Sequence, residues 1–157
     1  MKKLLIISLA AVIVAAPGSA KTKPAKGKAA PAELKWMDGP PGLPAGAQFA
    51  VVSGDPAKKG MFTIRARLPA NYAVPAHWHP TDEKVSVVSG KLAYGMSDRV
   101  NRTNAQGLSA GENVVMKAKM HHWVLSADGA EIEVSAMGPF AITYVNPAED
   151  PRAAAGK

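Results

Sequence analysis

His77-Trp78-His79-Pro80-Thr81-Asp82-Glu83, followed by Gly90, is the stretch that decides how this chain is read. In an extended segment side chains alternate with a period of two, so His77 and His79 share a face. Pro80-Thr81-Asp82 reads as a turn, and it returns the Glu83 carboxylate to the same side. Two imidazoles and a carboxylate thus converge from one short stretch, the donor set of a divalent first-row metal such as Zn, Mn, Fe, Ni or Cu rather than Ca or Mg. Asp82, beside Glu83, is read as solvated and as the alternative carboxylate.

The other two of the four histidines are also adjacent, His121 and His122. If they open a strand they point to opposite faces, so only one of them can join the first cluster. The residues alone leave that choice open.

Around these clusters the texture is that of a β protein. Short apolar runs punctuated by turn residues predict strands over Gln48 to Ser53, Met61 to Leu68, Lys84 to Val88 and Lys91 to Met96. Asn113 to Met116, His121 to Ser126, Glu131 to Met137 and Phe140 to Val145 complete the set. In Phe62-Thr63-Ile64-Arg65-Ala66-Arg67-Leu68 the alternation is clean: Arg65 and Arg67, like Glu131 and Glu133, face outward. Ser89-Gly90 and Asp128-Gly129 read as hairpin turns, and Asn101 to Gly107 as a polar loop. No amphipathic helix of useful length is evident after the first twenty residues. Many short strands at close spacing mean a sandwich or a barrel.

His77-x-His79-x3-Glu83-x6-Gly90 resembles the first motif of the cupin superfamily, with Asn71 where that motif opens on Gly. Asn is the other residue that tolerates left-handed backbone. From Gly111 onward the chain is similar to the second cupin motif, with Lys117, Lys119 and Ser126 at its Pro, second Gly and Asn positions. That register places the motif histidine on His122, with His121 as runner-up. The resemblance covers about residues 48 to 146. It implies a small single-domain cupin, an all-β jelly-roll barrel in which His77, His79, Glu83 and His122 grip one divalent transition metal. It also implies a small-molecule ligand or substrate; single-domain cupins are often dimers, and a structural β-barrel that forms a homodimer through an exposed edge is the third option. Family members include oxygenases, isomerases and proteins that only bind.

The rest of the chain frames this unit. Lys2-Lys3, the apolar run Leu4 to Ala16 and the small residues Pro17-Gly18-Ser19-Ala20 predict a signal peptide over 1–20. Its apolar run falls short of the about 20 residues of a stable membrane span. Export, periplasmic or secreted, is therefore expected, and with no cysteine in the chain the barrel must hold without disulfides. A Lys/Pro/Ala/Gly-rich leader over 21–46 is expected to be flexible, with Leu34 to Met37 as a short docking segment. The barrel then spans 47–147 and a loose tail 148–157.

The net charge of +7 suggests nucleic acid until it is mapped. Lys2, Lys3, Lys21, Lys23, Lys26 and Lys28 all precede the body, which balances at +1, with thirteen basic and twelve acidic residues from Ala29 onward. No basic stripe with interleaved aromatics occurs there, which argues against nucleic acid. Met61, Phe62, Tyr94, Met96, Trp123 and Phe140 are candidates to line the barrel mouth, with Tyr94 the one candidate acid or base beyond the metal. No Ser/His/Asp order, phosphate loop or nucleophilic Cys offers metal-free chemistry. The function expected is an exported metal-binding cupin, either an oxygenase- or isomerase-type metalloenzyme or a binder for sensing, storage or scavenging.

Overall fold

The computed structural model describes residues 33–154; the expected signal peptide and the first part of the leader lie outside the described residues. The strands are β1 (Met37–Asp38), β2 (Gln48–Ser53), β3 (Gly60–Trp78), β4 (Glu83–Gly95), β5 (Gln106–Ser109), β6 (Asn113–Met116), β7 (His122–Gly138) and β8 (Thr143–Tyr144). One helical turn, α1 (Pro151–Ala154), follows. All pairings are antiparallel, in the order β1-β2-β3-β7-β4-β5, with β6 also on β4 and β8 also on β3.

Three long strands carry the body. β7 lies between β3 and β4, paired with one from Gly60↔Gly138 to His77↔His122 and with the other from Glu83↔Ala136 to Gly95↔Trp123. The alternation expected from Phe62 to Leu68 sorts as it should: Phe62, Ala66 and Leu68 are buried, while Arg65 and Arg67 turn outward to pair with Glu131 and Glu133. The core is aliphatic, built on Leu68, Val74, Val85, Val87, Ile132 and Val134.

Two expected hairpins are bends instead. Ser89-Gly90 sits inside β4 and Asp128-Gly129 inside β7, where the ladder changes register. Gly supplies positive φ in either setting, 77° at Gly90 and 96° at Gly129, so the residue type does not separate a bend from a reversal. A Cβ at Gly90 would run into the Gly129 carbonyl, which is how closely β4 and β7 approach here.

β3 also runs ten residues past the expected end at Leu68, through Pro69, Asn71 and Pro75. Neither proline occupies a ladder position: Pro69 falls between the Leu68 and Ala70 pairs, and Pro75 lies in the irregular step from Val74 to His77. Asn71 takes φ 58°, the left-handed conformation its place in the motif demands. The polar loop gives way at Gln106, where β5 begins.

Residues 33–46, assigned by composition to the flexible leader, pack on the barrel. β1 pairs with β2, and Gly39 N–H donates to the Ala47 carbonyl at 2.8 Å. The Tyr72 hydroxyl donates to the Pro44 carbonyl at 2.6 Å, and that of Tyr144 to the Gly42 carbonyl at 2.8 Å. Trp36 lies under the Arg67 guanidinium, 3.7 Å from ring centroid to carbon. Residues 147–154 likewise fold back, as Arg152 bonds the Ile142 carbonyl and Asp150.

Candidate metal centre

The site assembles where three strand ends meet. His77 is one residue from the end of β3, His79 is just beyond it, Glu83 opens β4 and His122 opens β7. His77 and His122 are direct cross-strand partners, which puts both rings on one face. The ligand nitrogens of His77, His79 and His122 all lie within 4.8 Å of one another. Glu83 Oε2 is 3.3 Å from His122 Nε2 and 3.5 Å from His79 Nε2. All four side chains are buried, from 1% exposed at His122 to 7% at Glu83.

Each imidazole is oriented by backbone. Nδ1 of His77 meets the Pro75 carbonyl at 2.7 Å, that of His79 the Ala141 carbonyl at 2.8 Å, and that of His122 the Met120 carbonyl at 2.9 Å. A carbonyl only accepts, so each Nδ1 carries the proton, and in the neutral ring Nε2 presents a lone pair to the centre. Burial pulls the His77 imidazole down to about 3, helped by His122 and His79 beside it, and burial also lowers His79. Burial alone pushes Glu83 up, but the imidazoles of His122, His79 and His77 around it hold it below the ordinary carboxylate value.

Neutral rings then face an ionised carboxylate, lone pair towards lone pair, and His122 Nε2 is buried with no hydrogen-bond partner. Acceptors so placed can hold a cation between them. Three neutral nitrogens and one anionic oxygen fit a divalent transition metal, with positions left over for water or ligand.

Of the other sequence candidates, His121 faces away: its Nδ1 is 2.7 Å from Asp98 Oδ1 and its side chain is 38% exposed. Asp82 is no ligand either. It accepts from the Ala118 N–H at 2.8 Å and from Lys117 Nζ at 2.9 Å, pinning the loop that leads to His122. Lys119, at the motif's second Gly position, has φ 62° and donates its N–H to the His79 carbonyl at 2.8 Å.

Above the cluster lies a cavity of about 580 Å³, walled by the barrel interior and by residues 39–43. Among the six expected mouth residues only Phe140 borders it. Its ring stacks on His79 at 4.3 Å between centroids and 17° between planes, backed by Phe62. Met61 and Met96 are exposed. Tyr94 and Trp123 are buried elsewhere, bonded to Gln106 and Ser97, so Tyr94 is no acid or base here. Sequence reasoning missed the carbonyls of Pro75, Met120 and Ala141, which carry no side-chain signal. It also missed the Pro/Gly strap at 39–43, whose composition read as loop.

No family model and no curated protein matches the sequence. Solved structures do match in fold. The polyketide cyclase RemF from Streptomyces resistomycificus is 15% identical with a TM-score of 0.64, covering 83% of this chain and 92% of its own. A proposed acetylacetone dioxygenase from Methylibium petroleiphilum is 19% identical at 0.60, covering 85% and 90%. An RmlC-like cupin from Shewanella frigidimarina is 12% identical at 0.55, covering 72% and 91%. The chain thus has the fold of a small cupin-type domain, as the motif implied, and three buried histidines in it can bind a metal ion.

Proposed function

We propose that this chain is an exported metal-binding cupin that acts on a small molecule held over one divalent transition metal. The observation that carries the reading is the convergence of the His77, His79 and His122 ring nitrogens within 4.8 Å of one another, with the Glu83 carboxylate beside His79 and His122 and each Nδ1 fixed by a backbone carbonyl. A bound metal would supply Lewis acidity and an open coordination position. Around it, the chain's own residues position and exclude. Phe140 covers the His79 ring, and hydrocarbon side chains wall the cavity above the site. Glu83 is the one carboxylate among the described cavity residues. Enzymes of both cyclase and proposed dioxygenase type are among the fold neighbours. The hydrocarbon wall equally favours a second reading, a binder that senses, stores or scavenges its ligand.

Untagged protein purified from cells should carry about one transition metal per chain by elemental mass spectrometry, and His77→Ala should carry almost none. Protein that holds no stoichiometric metal under any supplementation overturns the proposal. Turnover of a ligand found bound in a crystal separates enzyme from binder. The Lys2-Lys3 and Leu4 to Ala16 pattern supports export, periplasmic or secreted. N-terminal sequencing of the native protein, expected to start at Lys21, tests it.

A further inference from the structure

The cavity is polar only at its two ends. At the base stand His77, His79, Glu83 and His122. At the mouth stand Gln48 and Arg152, the only other polar side chains among the lining residues, and both are exposed. Between them the wall is hydrocarbon, set by Ile64, Leu68, Val85, Ile132, Val134 and Ile142.

Arg152 is the residue that would meet an anionic ligand, and its charge is already used. Its Nη2 and Nε bond the two Asp150 carboxylate oxygens at 2.7 and 2.8 Å, and Nη2 also bonds the Ile142 carbonyl at 3.1 Å. The remaining Nη1 lies 3.6 Å from where a Cβ on Gly42 would stand, against the strap. The guanidinium thus ties residues 150–152 to the barrel beside the strap, and a carboxylate entering the cavity finds no uncompensated cation on the wall. A sugar would leave its hydroxyls unpaired along the hydrocarbon stretch, each an uncompensated cost.

We infer that the molecule held above the cage is mainly hydrocarbon and uncharged along the length that meets the wall, of one- to two-ring size, with its oxygen atoms confined to the end that meets the metal ligands. This deepens the metal-site reading and rests on it for the oxygen end alone; the apolar wall stands without the metal. A cavity of about 580 Å³ belongs to the size class of small-molecule sites.

The test uses 4-alkylphenols, from ethyl to heptyl, titrated calorimetrically into the protein as purified and after chelator treatment, with the fold checked by near-ultraviolet circular dichroism. Each added methylene should tighten binding about fourfold until the cavity is full. In the chelator-treated protein, 4-(4-hydroxyphenyl)butyrate should bind at least about tenfold more weakly than 4-butylphenol, since its carboxylate has no partner. Ile142→Trp, which fills half-buried space beside the strap, should bring the plateau to a shorter alkyl chain. A flat alkyl series overturns the inference, as does a carboxylate-tailed phenol that binds as tightly as its neutral partner. A flat series in protein that carries one metal per chain sinks the ligand class and spares the metal reading. A steep series in protein that carries none does the reverse.

Discussion

At the scale of single residues, adjacent histidines have opposite fates. His121 is spent on Asp98 at the surface, while His122 turns inward opposite His77. His122→Ala should therefore lower metal affinity by at least about 100-fold, more than the 10- to 100-fold typical of losing an outer-shell partner. His121→Ala should leave metal content unchanged by elemental analysis; a site emptied by His121→Ala would show the assignment to be reversed. Lys119 offers a second test. It holds φ 62° without being Gly, a conformation that costs an L-residue about 1–2 kcal/mol. Lys119→Gly should raise stability by about 0.5–1 kcal/mol after the added unfolded-state entropy is subtracted. The readout is a higher urea midpoint at unchanged slope. The ligand side chains were legible because imidazole and carboxylate spacing is written in residue types. The carbonyls that orient them belong to Pro75, Met120 and Ala141, whose side chains say nothing of that role.

At the scale of elements, strand existence was legible and strand continuity was not. Lys84–Val88 and Lys91–Met96 are two halves of β4, joined through Gly90. Gly90→Ala should cost more than about 2 kcal/mol in urea unfolding, because a left-handed non-Gly residue alone costs about 1–3 kcal/mol and the new Cβ meets the Gly129 carbonyl. The strap was illegible for a different reason. Gly39-Pro40-Pro41-Gly42 carries no periodicity, and what docks it lies far along the chain, on the Tyr72 and Tyr144 hydroxyls. Tyr144→Phe leaves the Gly42 carbonyl without that donor and should cost about 1 kcal/mol. Faster hydrogen exchange at the Gly39 and Leu43 amides, with the amides of β7 unaffected, is the expected signature; unchanged exchange would mean the strap is held by its other contacts.

At the scale of the whole molecule, the buried cage makes stability depend on pH in one direction. His77 is held neutral in the fold, pulled by burial to about 3, whereas in the unfolded chain it titrates near 6.5. Between those values the unfolded chain binds more protons, so stability rises with pH across the window. It is fully present above about pH 6.5 and is lost as pH falls toward 3. Glu83 acts with the same sign, because its folded value also lies below the unfolded one, so its contribution fades as pH falls below about 4.5. Metal-free protein should therefore lose on the order of 4 kcal/mol between pH 7 and pH 3.5 from His77 alone, at about 1.4 kcal/mol for each tenfold change in proton affinity. The measurement is a series of urea unfolding curves on chelator-treated protein, repeated on His77→Phe, which should make the profile shallower across pH 4–6.5 while the lowered His79 keeps part of the slope. Metal binds the same lone pairs that protons seek, so the loaded protein should keep its stability to lower pH and then fall more steeply as protons displace the ion. A metal-free chain as stable at pH 4 as at pH 7 would mean that the imidazoles take up protons without cost. The lone-pair arrangement around Glu83 would then no longer argue for a cation.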